Sequence, residues 1–88
     1  MSWRIDKRGA RFGQLSIAAQ AKWDLFQNAI HQGQHPAEAA KLIGGADYKV
    51  LDSKLGRFQI RLDYANRATF LIRESSQTVE VSQVGGHT

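Results

Sequence analysis

Two arginines on neighbouring predicted strands carry the clearest chemical signal in the sequence. Arg61 lies near the end of the alternating segment Phe58–Leu62, and Arg67 begins the next such segment, Arg67–Arg73. Because side chains alternate between the two faces of a sheet, both guanidinium groups should lie opposite the apolar residues of these segments. Planar guanidinium groups match phosphate oxygens in a bidentate way. The spacing therefore predicts a phosphate-binding site on an open sheet face.

The charge balance is compatible with an anionic partner. The 88 residues include twelve Lys and Arg against eight Asp and Glu, which gives a net charge of +4 and an isoelectric point of about 9.9. Such a chain attracts nucleic acids and acidic proteins. Ordinary solubility explains the same charge, and the two arginines could instead be solvated or form exposed cross-strand ion pairs with Asp63 or Glu80.

Several classes of protein are excluded by composition. The sequence has no cysteine, which rules out a disulfide scaffold, a thiol nucleophile and a thiolate zinc site, and favours a reducing, cytoplasmic location. Apolar runs reach only about three residues, far short of a membrane span, so no membrane partner is expected. His31 and His35 are predicted to be a helix-face residue and a helix-capping residue, so neither a metal nor a cofactor is expected.

The first half of the chain is predicted to be mostly helical. Ser2–Asp6 alternates polar and apolar residues, as a short strand does. Ser16 is a suitable N-cap for a long amphipathic helix over Ile17–Gln32, and Gly33 is a natural end. Pro36 favours the first turn of a second, short helix.

The second half is predicted to be an antiparallel meander. Its strands are expected around Tyr48–Leu51, Phe58–Leu62, Arg67–Arg73 and Val79–Ser82, joined by links too short for a parallel crossover. The chain 1–88 is therefore expected to be one α+β domain of order β-α-α-β-β-β-β, with a twisted antiparallel sheet and the helices packed on one face. The predicted core comprises Trp23, Leu25, Phe26, Ile30, Phe58, Ile60, Phe70, Ile72, Val79 and Val81.

Four ordered segments resemble the RelE/ParE toxin superfamily. They are Lys41–Gly45 leading into Tyr48–Leu51, then Phe58–Leu62, then Asn66–Ile72, then Thr78–His87. The family repeats "L-x-G", an aromatic residue before "x-I-R-L", "x-R-hydrophobic-x-aromatic", and a valine-rich strand ending in "V-G-x-[HR]". This resemblance covers nearly the whole chain. It implies a RelE-like fold and a bacterial toxin that cleaves messenger RNA on the ribosome, without a cofactor, and is held inactive by a cognate antitoxin.

The resemblance also implies roles for individual residues. Arg67 matches the family's phosphate-stabilising arginine, and Arg61 matches a second phosphate contact. His87 stands where members carry a histidine or arginine, and it would be the general acid. The remaining residues implied to contact RNA are Lys49, Lys54, Arg57 and Gln59.

Two departures from the family pattern keep other functions open. Active members commonly extend past the "V-G-x-H" point with a tyrosine and a terminal helix, whereas this sequence stops at Thr88. On the predicted strand that often carries the family's general base, Lys49 is the only ionisable candidate. One alternative is the ParE branch, a non-enzymatic poison of DNA gyrase. Another is a catalytically inactive module on the same fold that binds nucleic acid or protein.

Overall fold

The computed structural model describes residues 3–43 and 47–85, which form two helices and six strands. The long helix begins at Ile17, directly after its predicted cap Ser16, and ends at His31, one residue earlier than predicted. The elements are β1 (Arg4–Asp6), β2 (Arg11–Phe12), α1 (Ile17–His31), α2 (Pro36–Lys41), β3 (Lys49–Asp52), β4 (Arg57–Arg61), β5 (Arg67–Arg73) and β6 (Thr78–Val84).

All six strands belong to one sheet of order β1-β6-β5-β4-β3, with β2 also paired to β6. The four strands β3 to β6 form the predicted antiparallel meander. The expectation of a wholly antiparallel sheet is wrong at the other edge, because β1 and β2 both run parallel to β6. The chain between β2 and β6 contains both helices and three strands, so it is long enough to return parallel to β1 and β2. The sheet is therefore mixed but mostly antiparallel.

The core lies between the helices and one face of the sheet. Trp23 and Phe26 of α1 are buried, and the Phe26 ring packs 5.3 Å from the ring of Phe70 on β5. The prediction that Leu25 belongs to the core is wrong, since 44% of it is exposed. Leu25 lies about 100° around the helix from Phe26, outside the strip that meets the sheet. Phe58 is only partly buried and stacks on Tyr48 with 5.2 Å between ring centroids.

Side-chain caps fix where both helices begin. The Ser16 hydroxyl accepts a hydrogen bond from the Ala19 N–H at 3.0 Å, as predicted for the N-cap of α1. His35 caps α2 in the same manner, with its Nδ1 accepting from the Ala37 N–H at 3.0 Å. Its Nε2 lies 2.8 Å from Glu74, which ties α2 to the loop between β5 and β6.

Candidate nucleic-acid interface

The sheet face opposite the helices, here called the open face, carries both predicted arginines. Arg61 and Arg67 are directly opposite each other in the pairing of β4 with β5. Ala68 and Phe70, which alternate with Arg67 along β5, are wholly buried in the core. The predicted register is confirmed, because Arg67 and Phe70 lie on opposite faces. We call Arg61 and Arg67 the arginine pair.

A hydrogen-bonded turn holds the chain between the two arginines. The Asp63 carboxylate accepts from the N–H groups of Ala65 and Asn66 at 2.9 and 2.8 Å. It also accepts from the Ser16 hydroxyl at 2.6 Å, which links this turn to the start of α1. The hydrogen bond from Ser16, followed by those from the backbone, lowers the pKa of Asp63 to about 2. The entry to Arg67 is thereby anchored to the helical layer.

The arginine pair is only partly neutralised. Like charges directly opposite each other on a sheet repel. Asp47 lies 3.5 Å from the guanidinium of Arg61 and 3.7 Å from the ammonium of Lys49. Arg67 is partly buried, and within residues 3–43 and 47–85 its guanidinium makes no hydrogen bond and no ion pair. The donors of Arg67 therefore remain available to an external anion.

Asp47 is a residue of the site that the sequence did not indicate. Its backbone is in the left-handed region, with a φ of 47°, which Asp and Asn adopt more readily than most residues. It precedes β3 by two residues, and the strand pairing of Lys49 with Gln59 carries it toward Arg61. The only sequence signal for Asp47 is that it directly precedes the aromatic Tyr48 at the start of a predicted strand.

The other predicted RNA-binding residues are distributed unevenly over the open face. Lys49 lies near the arginine pair, because it contacts Asp47, the same carboxylate that contacts Arg61. Only 5% of Gln59 is exposed, so it offers little surface to a ligand. Arg57 is exposed at the other end of β4, roughly 13 Å along the strand from Arg61. Lys54 lies beyond Arg57 in the β3–β4 loop, so the fold does not bring it to the pair.

His87 lies outside the described residues. The general-acid role implied for it by the resemblance therefore remains a prediction.

The far end of the open face, here called the paired end, is neutralised by its own acids. Arg73 on β5 forms a hydrogen-bonded ion pair with Glu80 on β6, and Arg8 pairs with Asp6 at 2.8 Å. The hydrogen bonds from Arg8 lower the pKa of Asp6 to about 2. The alternative that Glu80 would pair with one of the predicted arginines is thus wrong, because Glu80 is held by a nearer residue across the β5–β6 pairing.

An open cleft of about 340 Å³ lies between these two ends. It is lined by Arg11, Leu51, Arg57, Thr69, Ser82 and Gln83. Thr69 is directly opposite both Gln59 and Gln83 in the sheet, and Arg11 pairs with Gln83 from β2. The sequence did not indicate Arg11 as part of the site, because a two-residue strand has no detectable alternation.

Neither a protein-family model nor a curated protein matches the chain. In the part of the chain that the structure describes, no group of three or more His, Asp or Glu side chains could hold a metal ion. No helix there is long and apolar enough to cross a membrane. Function must therefore be argued from the chemistry of the open face.

Proposed function

We propose that this protein is the toxin of a type II toxin–antitoxin system and cleaves messenger RNA on the ribosome at the arginine pair. The observation that carries the proposal is the position of Arg67. It lies directly opposite a second arginine on an open face, and its guanidinium has no partner among the described residues. A phosphate bound between the two would relieve their repulsion and satisfy their donors.

The reaction class follows from what the site could supply. The 2′-oxygen of a ribose forms a bond to the adjacent phosphorus, and the bond from phosphorus to the 5′-oxygen of the next nucleotide breaks. Negative charge on the non-bridging oxygens rises in the transition state. A guanidinium held at those oxygens favours the transition state over the ground state, so Arg67 would accelerate the chemical step and not only binding.

Two proton transfers complete the reaction. The 2′-hydroxyl proton would pass to Asp47, because an ionised carboxylate has lone pairs to accept it, whereas a lysine ammonium such as Lys49 has none. The departing 5′-oxygen takes up a proton, and the family resemblance assigns that role to His87. Arg61, already 3.5 Å from Asp47, would position the carboxylate as well as bind the phosphate.

The net charge of +4 supports the proposed partners. The ribosome and messenger RNA are polyanions, and a small acidic antitoxin would complement the same surface. Poisoning of DNA gyrase, the alternative that the family resemblance implies, does not require a phosphate site at Arg67.

Induced expression in bacteria tests the function, with messenger cleavage and DNA double-strand breaks measured separately. The wild-type chain should arrest growth and cut messenger RNA within translated regions. Arg67→Ala should remove both effects at equal expression, and co-expression of an antitoxin encoded beside the gene should restore growth. Double-strand breaks that persist in Arg67→Ala cells would identify a gyrase poison instead. Harmless expression of the wild-type chain would overturn both toxin functions.

A further inference from the structure

Thr69 is a buried polar residue of the open face whose hydroxyl is unsatisfied. The residue is 7% exposed, and its Oγ1 is shielded from solvent and has no hydrogen-bond partner among the described residues. Most buried hydroxyl groups in folded proteins do have a partner, because an unmade hydrogen bond in a buried position is costly. An orphaned hydroxyl in the middle of a candidate binding face therefore requires an explanation.

The surroundings of Thr69 are those of an anion site. Arg11 and Arg57 line the same cleft, both are exposed, and within the described residues neither guanidinium has an ion pair. The amide of Gln83 also lines the cleft, and its Nε2 donates to the carbonyl of Gly85 at 3.0 Å. None of the cleft-lining residues is acidic.

A β-bulge lies beside Thr69 on the neighbouring strand. Thr69 pairs with Gln83, but Phe70 pairs with Val81, which leaves Ser82 as an extra residue in β6. Bulges of this kind are frequent next to binding sites, where they redirect side chains. Here the bulge turns Ser82 and Gln83 into the same cleft.

We propose that this cleft, formed by Arg11, Arg57, Thr69 and Gln83, binds a second phosphate group of the single-stranded RNA, next to the one held by the arginine pair. This inference rests on the proposed function. Thr69 follows Arg67 by two residues on the same face of β5, roughly 6.5 Å along the strand. An RNA strand that follows β5 would therefore present successive phosphates to the arginine pair and to the cleft.

The chemistry of the four side chains suits a phosphodiester. The guanidinium groups of Arg11 and Arg57 supply charge and paired donors. A phosphate seated against Thr69 would accept from its hydroxyl the hydrogen bond that this hydroxyl does not make in the free protein. Thr69 would then be a binding residue, and the ligand would remove the cost of leaving its buried hydroxyl without a hydrogen bond.

The test uses a short single-stranded oligoribonucleotide with 2′-O-methyl groups, which binds without being cleaved. Its affinity for the full chain is measured by fluorescence anisotropy over a series of salt concentrations. Affinity falls as salt rises, and the loss of one phosphate contact should make the slope of log affinity against log salt shallower by about 0.7. Arg57→Gln should show this decrease. Arg73→Gln, a substitution on the same face at a residue already paired with Glu80, should leave the slope unchanged.

Thr69→Val separates a binding role from a merely structural one. The valine keeps the shape and removes the hydroxyl, so the thermal stability of the free protein should be retained or raised. RNA affinity should nevertheless fall roughly tenfold, the size of one hydrogen bond to a charged group. A stable Thr69→Val variant with unchanged affinity, or an Arg57→Gln variant with an unchanged salt slope, would overturn the inference.

Failure of the proposed function would give a different result. A wild-type chain that binds the oligoribonucleotide with the expected salt slope but never cleaves messenger RNA on ribosomes leaves the cleft supported and the ribonuclease function refuted. Cleavage that depends on Arg67, together with no effect of either cleft substitution on binding, refutes only the cleft.

Discussion

Both ends of the open face carry arginines, but acidic side chains neutralise these arginines more fully at one end than at the other. At the paired end, Arg73 is held by Glu80 and Arg8 is held by Asp6. At the other end, here called the basic end, Asp47 contacts Arg61, while Arg67 has no side-chain partner within the residues that the structure describes. Both Arg67 and Arg73 belong to β5 and point to the same face. Position on a sheet therefore does not decide which arginine is available to a ligand; the nearest acid does.

This difference also separates function from stability. An exposed ion pair such as that of Arg73 contributes little to the free energy of unfolding, because water and salt screen it. A guanidinium without a partner contributes still less, and its repulsion of Arg61 opposes folding. The basic end thus lowers the stability of the free protein and offers binding energy to an anion.

The largest effect is expected from Asp47→Asn. If Asp47 accepts the 2′-hydroxyl proton, the RNA cleavage rate should fall by about 10²–10⁴, the usual contribution of a general base. Affinity for RNA should not fall, because the substitution releases Arg61 and Lys49 from a carboxylate. Single-turnover cleavage of messenger RNA on ribosomes measures the first effect, and binding of an uncleavable RNA measures the second. The matched variant is Lys49→Gln; normal cleavage by Asp47→Asn together with loss in Lys49→Gln would move the base to Lys49.

A moderate effect on stability is expected from the carboxylate beneath the basic end. The pKa of Asp63 is lowered to about 2 in the folded protein, so its contribution to stability is complete above about pH 4 and is lost as the pH falls toward 2. Urea unfolding at pH 7, 4 and 2 measures it. Asp63→Asn should be less stable than the wild type at pH 7 and should approach it near pH 2.

Asp6→Asn is the control for that experiment at the paired end. The pKa of Asp6 is also about 2, but its partner Arg8 is only two residues away and can remain close in the unfolded chain. The loss of stability at pH 7 should therefore be smaller than for Asp63→Asn. Equal losses in the two variants would show that the link from Asp63 to Ser16 adds nothing to the local hydrogen bonds.

The smallest effect is expected from Glu80→Gln, which should make the paired end resemble the basic end. The substitution releases Arg73 and should make the slope of log RNA affinity against log salt steeper by at most about 0.7. Cleavage should be unchanged, since no proton acceptor accompanies Arg73. A cleavage rate altered as strongly as in Asp47→Asn would show that the two ends are not chemically distinct.

Local patterns predict the hairpin between β4 and β5 well. Alternation assigns faces, the short link between the two strands sets their register, and together they bring Arg61 opposite Arg67. Ser16 and His35 could be predicted as caps, because a cap depends only on the residues that immediately follow.

The remaining features depend on pairing between distant segments, which no local pattern contains. The parallel alignment of β1 with β6 joins residues more than seventy positions apart. The bulge beside Thr69 arises from the pairing of β5 with β6, and the contact of Asp47 with Arg61 depends on how the chain enters β3. The exposure of Leu25 does not follow from its sequence position, because a helical period gives the direction of a residue but not the width of the strip that the sheet covers.

The central claim, that an unneutralised arginine on the open face performs the chemistry, is tested most directly by comparing Arg67→Ala with Arg73→Ala. Both variants remove one guanidinium from the same face of the same strand, and the ribosome-dependent cleavage rate is measured with purified protein. Arg67→Ala should lose about 10²–10³ of the rate, with partial recovery in Arg67→Lys, while Arg73→Ala stays near the wild type. Equal rates for Arg67→Ala and the wild type, or equal losses in the two alanine variants, would contradict the claim.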